Sequence, residues 1–588
     1  MPDTEETTEL VDEDGARQEA APGTKKKPKK KSKKKSKKSR ESKKQKETKK
    51  GEKSVKKSET KREKQKESVL DTNLQVRLPD EYDRGQIDQL LANKIAFIVE
   101  KPTTEKWTFY DTFDWRLFNQ SLVLRHTDKE IVLDHFSSGE SQLNLQVSAV
   151  PRFGWDLPES PLRKRLEPII EMRALLPLAE LHTESRIYRI LNKDEKTVAR
   201  LVATEVRTLD GDSESIQAIY LSLRPVRGYP KYSRKLAKQL ARVGQVTPML
   251  EDLYFSALER AGQKPGSYSG KLDLRLKAKK RSDSSTKAIL RYLFTIMKVN
   301  ESGIKADIDT EFLHDYRIAI RRTRSALSQI RNVFPAEVTE HFKIEIRTLG
   351  QATNTLRDLD VYLLSEDEFE ARLPEAMRQD IVPLFDYLRL LREQALYEVI
   401  DSLSSPEYAR VLEEWEEFLH KPVPKKAGAA NGALPIVVLA RKRIYKRYQR
   451  VIRDGEYILT HTQDELLHAL RIECKKLRYL LEFFTSLFPR KKMARLIRQL
   501  KKLQDNLGDF NDLSVQQEYL MHMAEELPID YPRSRKALVA TGYLVENLSN
   551  KQKAVKADFA DTFTEFASPA NQKLFRQLFA AKGKKGGR

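Results

Sequence analysis

The stretch His314-Asp315-Tyr316-Arg317-Ile318-Ala319-Ile320-Arg321-Arg322-Thr323-Arg324 returns 154 residues later as His468-Ala469-Leu470-Arg471-Ile472-Glu473-Cys474-Lys475-Lys476-Leu477-Arg478. The register extends past the motif. Leu327 matches Leu481, Phe334-Pro335 matches Phe488-Pro489, Leu349 matches Leu503, Asp358-Leu359 matches Asp512-Leu513, and Val361 matches Val515. Two unrelated helices do not keep His, Phe-Pro and Asp-Leu in step without an insertion. The repeat therefore marks a duplicated structural unit.

Both copies read as amphipathic helix. With His314 at zero and about 100° per residue, Arg321 falls near −20°, Arg317 near −60° and Arg324 near −80°, a stripe about 80° wide with Arg322 on its flank. Ala319, Ile320, Tyr316, Ala326, Leu327 and Ile330 take the opposite side. The second copy repeats the stripe with His468, Arg471, Lys475 and Arg478. An ordinary solvated helix intersperses Glu with Lys at i, i+4. Here like charges stand side by side, and Asp315 is the single acid between His314 and Arg324. Such a stripe costs stability unless an anion neutralises it. Either a ligand phosphate, which Arg recognises bidentately, or carboxylates within the bundle, such as Asp358 and Asp360, supply that anion.

The wider charge pattern also asks for a polyanion. The chain has 588 residues, 109 Lys and Arg, 86 Asp and Glu, and a net charge of +23. Residues 1–24 carry eight acids and one base, whereas residues 25–66 carry 24 bases and five acids. This segment of mostly Lys, Ser, Glu, Thr and Gln cannot bury enough apolar surface to fold, so residues 1–70 read as a disordered tail, acidic and then Lys-rich. It serves either as a solubilising extension or as a loose polyanion-binding arm, the latter giving a nucleic-acid-binding alternative. Cys474 is the single cysteine, which rules out a disulfide framework and a Cys-based zinc site. It falls on the apolar side of its helix, as a buried small residue would. The histidines have no partner at i+3 or i+4 for a metal, there is no Walker A pattern, and no cofactor or metal is expected. No apolar run reaches the ~18 residues of a membrane span, and the start lacks a signal-peptide core, so a cytoplasmic location is expected.

Bases read by stacking need aromatic platforms, and the first stripe has none. Tyr479 lies near the second, but its repeat partner is Ser325. A phosphate chain without bases asks only for clustered Lys, Arg and His. The residues thus favour inorganic polyphosphate, with RNA or DNA left open on charge alone.

Around the repeat the chain divides. Residues 71–265 mix strand patterns (Leu74 to Leu78, Ile131 to Leu133, Ala199 to Val206, Ala218 to Leu223) with helical ones (Asp83 to Leu91, Tyr232 to Val243), giving an α+β or β-barrel-like domain. Residues 266–284 read as a linker. Residues 285–580 read as all-α, in halves of about 285–420 and 436–580, followed by a basic C-terminal tail at 581–588.

These residues resemble the CHAD family, the conserved-histidine α-helical domain. The resemblance rests on Leu313-His314-x-x-Arg317-x-x-x-Arg321-Arg322-x-Arg324, Leu356-Arg357-Asp358-Leu359-Asp360-Val361, Leu467-His468-x-x-Arg471-Ile472-x-x-Lys475-Lys476-Leu477-Arg478-Tyr479 and Leu503-Gln504-Asp505-x-Leu507-Gly508. It implies two pseudo-symmetric four-helix bundles that bind inorganic polyphosphate and associate with polyphosphate granules. The implied ligand contacts are His314, Arg317, Arg321, Arg322, Arg324, His468, Arg471, Lys475, Lys476 and Arg478, with Arg347 and Lys501 added by their equal spacing. The preceding domain resembles a diverged CYTH domain, a triphosphate-tunnel β-barrel, through Tyr110-Asp111-Thr112-x-Asp114 and Leu122-Val123-Leu124-Arg125. That resemblance implies a metal-dependent triphosphatase as an alternative function, with the helical part as a recruiting module. Against it, Asn73-Leu74-Gln75-Val76-Arg77 stands where active members carry Glu-x-Glu-x-Lys. Amides are poor ligands for a hard divalent cation, so catalysis is not expected. Arg77, Arg125, Arg186 and Arg189 remain as anion-binding candidates there, beside a purely structural barrel.

Overall fold

The structure, a computed structural model, describes residues 74–92, 96–136, 141–210, 213–270, 272–461 and 463–580. The expected tail at 1–70, Asn73 and residues 581–588 lie outside them. The chain forms two compact units, one ending at Ser269 and the other beginning at Gly270.

The first unit is α+β. Its strands are β1 (Gln75–Arg77), β2 (Ala96–Val99), β3 (Thr103–Asp111), β4 (Leu122–His126), β5 (Glu130–His135), β6 (Ser141–Gln146), β7 (Leu176–Leu191), β8 (Thr197–Asp210), β9 (Ser213–Pro225) and β10 (Gln245–Val246). Its helices are α1 (Arg84–Ala92), α2 (Pro161–Ile170), α3 (Pro230–Val243) and α4 (Met249–Arg260). The strands pair antiparallel in the order β10-β1-β9-β8-β7-β3-β4-β5-β6, with β2 also on β7. Side chains alternate across a strand, so Tyr188, Ile190, Leu201, Ala203, Ile219 and Leu221 share one buried cluster with Leu236 and Leu240 of α3. Phe109, Leu181, Val206 and Tyr220 share another with Leu253, Tyr254 and Leu258 of α4.

The second unit is helical: α5 (Ser282–Lys305), α6 (Thr310–Gln329), α7 (Ala336–Gln351), α8 (Asn354–Leu364), α9 (Glu366–Arg372), α10 (Val382–Ser402), α11 (Pro406–His420), α12 (Ile436–Ile458), α13 (Asp464–Phe483), α14 (Arg490–Glu526), α15 (Ser534–Ala557), α16 (Phe559–Phe566) and α17 (Pro569–Phe579). The sequence repeat is a structural one. α5 and α12 begin 154 residues apart, as do α6 and α13, and α7 and α14. Asp309 caps α6, its Oδ1 accepting from the Glu311 and Phe312 N–H groups at 3.0 and 3.3 Å, which satisfies two of the orphan donors of a helix start. The apolar side foreseen for α6 (Tyr316, Ala319, Ile320, Ala326, Leu327, Ile330) is buried.

The halves diverge after the third helix. The first breaks between α7 and α8, whereas α14 runs unbroken for 37 residues. At the break Thr353 is buried and its hydroxyl donates to the Gly350 carbonyl at 2.8 Å, a side-chain bond that competes with helix continuation. The equivalent position in α14 is Leu507, which is buried and has no such group.

Candidate polyanion-binding surface

The stripes are not uniformly presented. Arg317 and Arg471, at equivalent positions, are buried, with exposures of 8% and 2%. The Arg317 guanidinium donates to Thr353 Oγ1 and Asn354 Oδ1, both at 2.8 Å, and to the Gly350 carbonyl at 3.2 Å. It thus ties α6 to the break between α7 and α8. Arg471 donates to Asp512 Oδ1 at 3.1 Å and ties α13 to α14. His468 Nδ1 lies 2.5 Å from Asn511 Oδ1, an acceptor that places the ring proton on that nitrogen. The residue equivalent to Asn511 is Arg357, which reaches the Thr310 carbonyl at 3.5 Å instead. His314 is buried as well.

Beyond these anchors the cations become more open. Arg321, Arg324, Lys475, Lys476, Arg478 and Lys501 are half-buried and Arg347 is exposed. Arg322 donates to the Gly270 carbonyl at 2.9 Å and meets Glu482 at 3.4 Å. Glu482 also receives Arg478 at 3.2 Å, so one carboxylate on α13 holds an arginine from each half. Asp360, weighed as a stripe partner, binds Arg392 at 2.7 Å instead. Burial pushes its carboxyl up to about 6, against the pull of Arg392. Cys474 is fully buried and its thiol pushed well up by desolvation, which removes it as a nucleophile.

Arg324, Arg347 and Lys476 converge on a cleft of about 760 Å³, joined there by Arg331 and Lys343. Arg331 and Lys343 lie outside the repeated stripe. A second cleft, of about 510 Å³, shares Arg331 and adds Arg443, Lys446, Arg447, Arg450 and Arg453, all from α12. A third, of about 430 Å³, shares Lys476 with the first and Arg450 and Arg453 with the second. Together they form one continuous cationic surface supplied by the C-terminal end of α6 and by α7, α12 and α13. Arg443 is half-buried, and its burial together with neighbouring Arg331 and Arg447 pushes its guanidinium pKa down. Its Nη2 donates to the Arg331 carbonyl at 3.1 Å.

A sequence signal for α12 existed. Residues 441–453 carry seven Lys and Arg and no acid, at spacings that put Arg443, Arg447, Arg450 and Arg453 on one face. The repeat concealed it, because the equivalent α5 positions are Ile289, Leu293, Ile296 and Val299. The halves differ in charge as a whole. Residues 282–435 hold 20 bases and 26 acids, and residues 436–580 hold 26 bases and 17 acids.

In the sheet unit the anion candidates are engaged by carboxylates. Arg77 meets Asp252 at 3.2 Å, Arg125 meets Asp134 at 2.9 Å, Arg186 meets Glu184 at 2.9 Å and Arg189 meets Glu100 at 3.4 Å. Arg125 also lies over the Trp107 ring, 4.4 Å from its centroid. Gln75 Oε1 accepts from the Met249 N–H at 2.8 Å. The Tyr-Asp-Thr motif builds a turn: Asp111 accepts from the N–H groups of Thr112, Leu117 and Phe118 at 2.7–2.9 Å. Among the described residues no group of three or more His, Cys, Asp or Glu could hold a metal ion. An amide on a backbone donor and an arginine on Asp252 do not fit a divalent cation, and no hydrolytic step follows from them. No described helix is long and apolar enough to cross a membrane.

Residues 288–521 match the family model of the CHAD domain. Two uncharacterized proteins from strains of Mycobacterium tuberculosis are each 25% identical to this chain over 229 residues, 38% of this chain and 42% of theirs. The chain therefore spans less than half the length of the curated relatives it matches. Among solved structures, the CHAD domain of the plant Ricinus communis aligns with a TM-score of 0.42 and 24% identity, over 49% of this chain and 95% of that one. PptA from Streptomyces chartreusis aligns with a TM-score of 0.37 and 15% identity, over 48% of this chain and 100% of that one. HpAC1 from Hippeastrum, a protein with a dominant triphosphatase activity, aligns with a TM-score of 0.23 and 17% identity, over 34% of this chain and 99% of that one.

Proposed function

We propose, on the match of residues 288–521 to the family model of the CHAD domain, that the helical unit binds inorganic polyphosphate and brings the protein to polyphosphate granules. The observation that carries this reading is the continuity of the three clefts. Arg324, Arg331, Lys343, Arg347 and Lys476 lead through shared residues to Arg443, Lys446, Arg447, Arg450 and Arg453. A flexible chain of phosphates can follow such a track by charge alone, with Arg forks binding its oxygens bidentately. Arg321, Arg322, Lys475, Arg478 and Lys501 add positive potential beside it. Arg317, Arg471 and His468 hold the helices that carry it.

The test is competition at fixed salt between long-chain polyphosphate, RNA and DNA for the full chain and for a variant lacking residues 1–66. Salt is fixed because counterion release changes such affinities by orders of magnitude. Polyphosphate is expected to displace both nucleic acids in either form. Loss of all binding on removing residues 1–66 would assign the polyanion affinity to the Lys-rich segment instead, and preference for nucleic acid by the shortened form would make nucleic acid the ligand of the folded part.

A further inference from the structure

Glu473 stands out in the cationic surface. It lies on α13, it is 5% exposed, and three cations converge on its carboxylate. Arg447 binds Oε2 directly, Arg450 Nε lies 3.5 Å from the same oxygen, and Lys476 Nζ lies 3.5 Å from Oε1. Arg447 also donates to Gln329 at the end of α6. The arrangement is peculiar to the second half: Ala319 is equivalent to Glu473, and Leu293 and Ile296 to Arg447 and Arg450. The acid and two of its cations thus occur together where the first half has only apolar residues.

A carboxylate receiving Arg and Lys donors offers the same chemistry as one phosphate group: an anionic oxygen acceptor at hydrogen-bond range. Its backbone is fixed on α13, and its carboxylate is held by contacts to three cations. Two of its partners are accessible, Arg450 with a side-chain exposure of 54% and Lys476 with 32%. Asp454, the other acid in this cleft, binds Arg450 at 3.3 Å and Arg453 at 2.8 Å, and is more exposed.

We propose that Glu473 is a resident counter-ion that occupies one phosphate position of this surface from inside the protein and thereby sets how tightly it holds a polyanion. The inference rests on the polyphosphate reading above. With Glu473 charged, Arg447, Arg450 and Lys476 are held in place but partly neutralised, so a phosphate chain gains less from them. With the charge removed, the same three cations become a full anion site.

The experiment compares the full-length protein with Glu473→Gln by titration with long-chain polyphosphate at several salt concentrations, and by thermal denaturation with and without inorganic phosphate. The glutamine variant is expected to bind polyphosphate roughly tenfold more tightly, the size of one charge-assisted contact, with a steeper salt dependence. Inorganic phosphate should raise its melting temperature more than that of the unmodified protein. Equal or weaker binding by a folded variant, when the unmodified protein binds, overturns the proposal. If neither protein binds polyphosphate but phosphate still stabilises the variant selectively, the counter-ion role stands and the polyphosphate reading falls. If the variant does not fold, Glu473→Asp draws the charge back by one methylene from Arg450 and Lys476. It should then bind more tightly than the unmodified protein, and a failure to do so overturns the proposal equally.

Discussion

Arg281 and Pro435, 154 residues apart and each one position ahead of the first helix of its half, face each other in an isolated antiparallel bridge. The hydrogen bonds around them mirror one another: the Ser282 N–H donates to the Leu434 carbonyl at 2.8 Å, and the Ile436 N–H to the Lys280 carbonyl at 2.9 Å. Equivalent residues exchanging equivalent bonds is the signature of a two-fold relation, here within a single chain. The repeat is therefore legible in backbone bonds as well as in spacing.

The buried arginines are expected to govern stability. Arg317→Ala removes donors to Gly350, Thr353 and Asn354 and should cost about 2–3 kcal/mol. Arg471→Ala leaves Asp512 without its guanidinium and should cost about 3 kcal/mol. Chemical denaturation of each variant measures both losses.

Exposed or cleft-lining cations should behave in the opposite way. Arg347→Gln and Arg324→Gln are expected to change stability by about 0.5 kcal/mol or less and to weaken polyphosphate binding. The salt slope of binding should fall by close to one for each cation removed. Titration across a salt series separates this outcome from the stability loss of the buried pair.

Asp111 supplies a pH dependence in the sheet unit. Burial pushes its carboxyl up to about 6, partly offset by its three N–H donors. Between its unfolded value of about 3.9 and 6 the fold holds more protons than the unfolded chain, so stability is lost as pH rises through 6 and gained as pH falls toward 4. The difference is on the order of 3 kcal/mol. Asp111→Asn should flatten that part of the profile, as read from denaturation midpoints between pH 4 and 7.

Two glycines mark close helix approaches. A Cβ on Gly455 would lie 1.9 Å from the Phe563 ring, and one on Gly303 would lie 2.1 Å from the Phe312 ring. Gly455→Ala and Gly303→Ala should each cost about 1–3 kcal/mol or more through overpacking, visible as lowered melting temperatures.

Much of the helical unit was legible because the 3.6-residue period and the 154-residue repeat agree on which side of α6 and α13 is buried. What sequence could not show is that the same stripe holds two kinds of cation. Arg317 and Arg471 are consumed by groups 33 to 41 residues further along, which only the packing of α7, α8 and α14 brings near. The break at Thr353 is hidden because the repeat stays in register across it, Leu349 with Leu503 before it and Asp358-Leu359 with Asp512-Leu513 after it. The α12 cations are legible locally, but the repeat pairs them with the apolar positions Ile289, Leu293, Ile296 and Val299 of α5. In the sheet unit, β7 is masked because Glu180, Glu184, Arg186 and Arg189 interrupt its apolar pattern; Glu180 pairs with Lys106 on β3, Glu184 with Arg207 on β8 and with Arg186 on β7 itself, and Arg189 with Glu100 just past β2.

The uneven charge of the halves gives the helical unit a polarity that its backbone symmetry lacks. With six more acids than bases in residues 282–435 and nine more bases than acids in residues 436–580, two halves that share their order of first helices differ in net charge. On the polyphosphate reading proposed above, long-range attraction comes mainly from the second half, and the first half adds its cations only where the two meet in the cleft of Arg324, Arg331, Arg347 and Lys476.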